Sequence, residues 1–160
     1  MSSIDKLYPV LRAAIPTYSG FSTKKEILNP YSLVDNPRTF LEDSWGIKIL
    51  ASSRANSDLP AGVKDYSITT IRQIGVVLSR AVYDVQGIGH VMNEQATSML
   101  GDASTIRDNF LNLSKFGVLL GGEEVEYEGD SGLETLSFGD GSKFIYTEIN
   151  FTFELTERIN

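Results

Sequence analysis

Apolar residues recur along this chain at two spacings, and the spacings divide it into elements. Leu7, Val10, Leu11, Ala14 and Ile15 fall at i, i+3, i+4, i+7 and i+8, one stripe of a helix. Ser2, Ser3 or Asp5 is placed to cap it, Pro9 leaves its start open, and Pro16 with Ser19-Gly20 ends it. A longer stripe joins Met92, Ala96, Met99, Ala103, Ile106, Phe110 and Leu113, predicting a helix over 93–113 with Asn93 as N-cap and Gly101 off the stripe. Two alanines on a short seam fit a helix packed on a sheet better than a coiled coil.

Elsewhere the period is two. Trp45, Ile47 and Ile49 alternate with Gly46 and Lys48, a strand over 45–50 with one buried face. Over 68–83, Ile74, Val76, Leu78 and Val82 share one face and Ile71, Val77, Ala81 and Tyr83 the other, which suggests a central strand. Arg72 and Arg80 are expected to emerge from it. The clearest alternation is 143–157: Ile145, Thr147, Ile149, Phe151, Phe153 and Leu155 face one way, and Phe144, Tyr146, Glu148, Asn150, Thr152 and Glu154 the other. Shorter strands are predicted at 116–120, 125–128 and 133–138, the last turning through Gly139-Asp140-Gly141-Ser142.

Two stretches lack a period. Residues 16–45 are irregular, punctuated by Asn29-Pro30 and by Asn36-Pro37, the latter suited as N-cap and N1 of one short turn over 38–43. Residues 51–67 resemble a long loop, expected to be mobile and to order on a partner through Arg54, Lys64 and Tyr66. The element order predicts an α+β fold: one domain, 1–160, with an antiparallel β-sheet and two main helices packed on one face.

Composition narrows the class. The 41% hydrophobic and 22% charged content is that of a globular chain rather than a disordered one. No apolar run approaches the ~18 residues of a membrane span. The first residues lack the pattern of a secretory signal and cysteine is absent, so synthesis in a cytoplasm is expected and neither disulfides nor thiolate metal sites are available. The net charge of −7 argues against a nucleic-acid-binding surface. Residues 121–160 hold −8 of it and residues 1–120 are +1. A solvated acidic hairpin, a complementary self-contact and a DNA-repelling surface all fit that imbalance.

Three short patterns suggest chemistry and lack its context. Gly129-Asp130-Ser131-Gly132 spells a serine-protease nucleophile signature, but Leu133-Glu134 follow it and His90, the only histidine, is not placed beside Ser131. A glycine-rich turn explains it. Gly87-Ile88-Gly89-His90-Val91-Met92 has Met92 where a dinucleotide fingerprint has its third glycine, and is expected to be a flexible strand-to-helix loop. Glu124, Glu126 and Glu128 share one face of a strand, a solvated face or an interface rather than a cation site. No catalytic residue, cofactor or metal is expected. Arg54, Lys64, Tyr66, Glu124, Glu126 and Glu128 are the candidate interface residues.

With this order in place, the chain resembles the tail-terminator (tail completion) family of tailed bacteriophages. The likeness is one of layout over nearly the whole chain: helix Leu7–Ile15, first strand Trp45–Leu50, long loop, long strand Ile71–Val85, helix Asn93–Leu113 and closing strand Phe144–Leu155. The resemblance implies a virion protein: a homo-hexameric ring at the head-proximal end of a tail, bound to the tail tube protein and to neck or connector proteins. DNA would pass through its lumen without specific binding, a passage that an acidic lumen would not arrest. The long 16–45 segment and the acidic 121–142 insert depart from shorter members and leave open a head-closure or connector protein. A small hydrolase with a carboxylate pair in a cleft, or a ligand-binding α+β module, are the other classes in play.

Overall fold

The computed structural model describes residues 3–15, 25–54, 67–82, 88–115 and 124–158. Helices α1 (Ser3–Ala14) and α2 (Ile88–Lys115) lie with six strands: β1 (Lys25–Glu26), β2 (Ser44–Arg54), β3 (Ser67–Val82), β4 (Val125–Asp130), β5 (Glu134–Ser137) and β6 (Lys143–Arg158). The sheet runs β1-β2-β3-β6-β4, and β5 pairs with β6 beyond the end of β4. All pairs are antiparallel except β1 with β2. The expected α+β architecture is therefore present, with one parallel edge added by the segment 16–45.

The centre is the β3–β6 pair, in register without interruption from Ser67↔Arg158 to Val82↔Lys143. Strand period fixes what each face carries. Ile74, Val76, Leu78 and Val82 of β3 and Ile145, Ile149, Phe151 and Phe153 of β6 enter one core with Leu7, Leu11 and Ile15 of the α1 region and Met99, Ile106 and Phe110 of α2. Met92, Ala96, Ala103 and Leu113 pack at its margin, so the whole α2 stripe lies on the sheet. Phe110 meets Phe151 and Phe153 with ring centroids 4.9 and 6.3 Å apart. Asn109 Nδ2 donates to the Ala14 carbonyl at 3.0 Å, satisfying a group that the end of α1 leaves open.

The opposite, outer face holds a smaller core: Ile27, Leu41, Val77 and Phe144, with Leu33, Ala81, Leu136 and Phe138 partly buried around them. A strap over residues 27–41, containing 3₁₀ turns Leu33–Asp35 and Arg38–Phe40, covers this end of the sheet. Asn36 is not the expected N-cap. Its buried amide accepts from the Asn29 N–H and donates to the Asn29 and Ser32 carbonyls, knotting the strap instead. Pro37 flanks the second turn in its place.

Other expectations need correction. Residues 51–54 belong to β2: a bulge between Ile49 and Ser52 breaks the alternation, after which Ser52–Arg54 pair with Arg72–Thr70. The segment looked like loop because the bulge shifts the phase and the edge is polar. Arg72 serves the bulge, donating to the Leu50 carbonyl at 2.9 Å. Arg80 does not emerge either; it is buried beneath α2, bonded to Ser98 and Asp102 and near Asp43. Burial pulls its guanidinium below the usual arginine value, and Asp43 opposes the shift. Helix α2 starts at Ile88, so Gly89 and His90 are helical and Asn93 is interior. The apolar stripe marks where the helix packs, not where it begins. The strand expected at 116–120 and the residues Lys64, Tyr66 and Tyr83 lie outside the described residues.

The division of labour between faces gives a direct comparison. Truncating a buried Phe to Ala typically costs ~3–5 kcal/mol. Phe151→Ala with Phe153→Ala should therefore lower the urea midpoint severely, whereas Thr152→Ala with Glu154→Ala, on the outer face, should cost less than about 1 kcal/mol. Equal shifts in the two midpoints would mean that β6 is turned over.

Candidate functional site

The outer face beyond the strap is open, and two glycines shape it. A Cβ at Gly46 would lie 2.8 Å from Pro30 Cβ, so the strap can sit down on β2 only because that position has no side chain. A Cβ at Gly75, in the middle of β3, would lie 2.3 Å from Glu148 Oε1. Glycine weakens a strand interior and commonly marks a close approach. Here it lets Glu148 of β6 fold over β3 and meet Lys48 of β2, Nζ to Oε2 at 2.9 Å. The two residues lie on strands that flank β3, about 10 Å apart at the usual strand spacing, and the pair closes across the bare backbone of Gly75.

Around this pair the face forms two hollows placed end to end along β6. The first, of about 240 Å³, lies among Pro30, Tyr31, Leu33 and Val34 of the strap, Lys48 and Val77 on its floor, and Leu136, Tyr146 and Glu148 opposite. The second, of about 260 Å³, lies among Leu50, Gln73, Glu128, Asn150 and Thr152. The Tyr146 hydroxyl donates to Glu134, and that bond, aided by burial, raises the phenol above its usual 10.0. Tyr31 closes the strap side: its hydroxyl accepts from the Ile49 N–H at 3.0 Å and lies 3.4 Å from the Ile49 carbonyl.

The candidate interface residues take up two opposite edges. Glu124, Glu126 and Glu128 are exposed along β4, and Glu128 Oε1 accepts from the Thr152 hydroxyl at 3.0 Å. Glu128 is the extra residue of a bulge between Tyr127 and Gly129, which re-aims it across β6. Arg54 ends β2 at the other edge, with β3 and β6 between, a separation of about 14 Å at the usual strand spacing. The sheet thus keeps Arg54 apart from the glutamates within one chain. Lys64 and Tyr66 fall outside the described residues. Sequence reading missed Lys48, Glu148 and the strap, and the only signal for them was a glycine inside an otherwise strong strand.

The dismissed signature at Ser131 is a turn. Ser131 Oγ accepts from the Glu148 N–H at 3.0 Å, its own N–H donates to the Glu148 carbonyl at 2.9 Å, and Gly129 and Gly132 have φ of +113° and +73°. Such angles favour glycine. Among the described residues no three of His, Cys, Asp and Glu group as a metal site, and no helix is long and apolar enough to cross a membrane. In comparisons with known proteins, no family model and no curated protein matches the chain.

The approach of Glu148 to Gly75 can be measured by a double-mutant cycle. Gly75→Ala should cost about 1–2 kcal/mol in the native chain and much less in a Glu148→Ala background, because the clash is then gone. Additive costs would show that the carboxylate does not lie on the glycine.

Proposed function

We propose that the protein is a non-catalytic assembly subunit of the tail-terminator type. It closes into a ring, most simply a hexamer, at the head-proximal end of a phage tail, ends growth of the tail tube and joins the tail to the neck. DNA passes through the lumen without specific binding.

The observation that best supports this reading is the placement of unlike surfaces on opposite edges of one sheet. A ring needs heterologous contacts, in which one patch of each copy meets a different patch of the next. The β4 edge is acidic, with Glu124, Glu126 and Glu128, and the far β2 edge ends in Arg54. A contact of this kind repeats around an axis, whereas a self-complementary patch would stop at a dimer. The acidic surplus also keeps DNA from sticking to the assembly. A head-closure or connector component would use the same edges, and the strap over 27–41 is the extra surface such a role would employ. Binding to isolated tube ends distinguishes the two.

Analytical ultracentrifugation and negative-stain microscopy, with and without tail tubes, test the ring. A closed cyclic species is expected. Glu126→Lys with Glu128→Lys should weaken it at least tenfold, about 1.4 kcal/mol per contact, and Arg54→Glu in addition should restore part of the loss. A strict monomer that also binds no tube end would overturn the reading.

A further inference from the structure

A second feature shares Glu128 with the β4 edge but lies on the face of the sheet: the trough that the two hollows form along the outer side of β6. From Tyr146 to Thr152 it runs over four outward positions, Tyr146, Glu148, Asn150 and Thr152, about 20 Å of strand. That length seats an extended segment of about six residues. Its two ends differ. At the Tyr146 end the wall is apolar, built by Pro30, Tyr31, Leu33, Val34 and Leu136. At the Thr152 end it offers Gln73, Asn150 and Thr152, side chains that both donate and accept hydrogen bonds.

The charges on its banks are one-sided. Glu134 stands over Tyr146, Glu148 on the floor, and Glu126 and Glu128 along the β4 side. Among the described residues the one cation lining the hollows, Lys48, is already paired with Glu148 Oε2. Above the apolar end the strap presents large side chains to solvent: Leu28, Tyr31 and Val34 are 66, 59 and 60% exposed. Three exposed apolar residues within seven positions, next to a hollow, mark a contact surface rather than a scatter of surface hydrophobes.

We propose that this trough is a docking site for an extended, basic segment of a protein partner. An apolar side chain of the segment seats against Tyr31, Leu33 and Val34 beside Tyr146, and arginine or lysine side chains two and six positions further on meet Glu148 and Glu128. Glu148 lies two positions past Tyr146 on β6, and Glu128 reaches β6 at Thr152, four positions past Glu148; both steps are even, so one face of an extended segment meets the two carboxylates in turn. Arginine suits the Glu148 end, where its stem covers apolar wall and its planar head reaches a carboxylate. Nucleic acid is disfavoured by the same carboxylates.

The test uses the full chain and a fluorescein-labelled probe, acetyl-Leu-Ser-Arg-Ser-Ser-Ser-Arg-amide, with a control in which glutamate replaces both arginines. Fluorescence anisotropy should show saturable binding of the probe, at least tenfold weaker binding of the control, and a loss of about tenfold in Glu148→Gln with Glu128→Gln. Val34→Asp, an exposed strap substitution that leaves the carboxylates in place, should weaken binding several-fold. Amide shifts on titration should centre on Gly75, Val77 and Asn150. No saturable binding, equal binding of the control, unchanged binding in both variants, or shifts confined to the β4 edge would each overturn the proposal. Titration with a DNA duplex should give no shifts in the trough, and binding there would overturn it equally.

Discussion

The structure depends on one constraint: β3 and β6 are paired in a single register over their whole length. Because side chains alternate, that register decides every residue's face at once, and a slip of one position would exchange the two sets. It sends Phe151 and Phe153 to Phe110 of α2 and leaves Glu148, Asn150 and Thr152 outward. It also sets Arg80 under α2, where a guanidinium is tolerable only because Ser98 and Asp102 meet it there. Thr147 Oγ1, buried on the same face, has no hydrogen-bond partner among the described residues, a cost absorbed by the apolar contacts around it.

The outer face follows a different logic. Its apolar end is closed by the strap, held through Arg38, which stacks on Phe138 at 4.9 Å and pairs with Asp140. Past the strap the face turns polar and stays open; Gly46 lets Pro30 of the strap sit on β2, and Gly75 lets Glu148 lie across β3, a place from which any side chain would shift the carboxylate. A β-sheet with one face covered by helices at its centre and the other partly free is a scaffold with a surface to spare. The acidic last quarter of the chain lies around that surface, since β4, β5 and β6 all come from it.

Much of this was legible in the sequence because it rests on period. The stripe from Met92 to Leu113 and the alternation from Phe144 to Phe153 each point to a packed set: the inward side chains of β6 are buried, and of the stripe Met99, Ile106 and Phe110 are buried with the rest half-buried around them. What period cannot carry was lost. The bulge after Ile49 hid the end of β2, and the pairing of Lys25–Glu26 with Ser44–Trp45 is too short to leave a pattern. Asn36 looked like a cap because it precedes a proline, although its four side-chain bonds all go to Asn29, Ser32 and Leu33, which lie before it. The Lys48–Glu148 pair is separated by 100 positions, and only Gly75 hinted at it. Of the candidate interface residues, the glutamates were found by alternation, and their relation to Arg54 needed the strand order.

The inner face therefore builds the fold, and the outer face and its edges are where association is proposed. Hydrogen–deuterium exchange, compared between the isolated and the assembled chain, tests that division most directly. Amides of the β3–β6 pair should be among the slowest in both states, and new protection on assembly should fall on residues 50–54 and 124–130. New protection spread over α1 and α2, with none at those two edges, would contradict it.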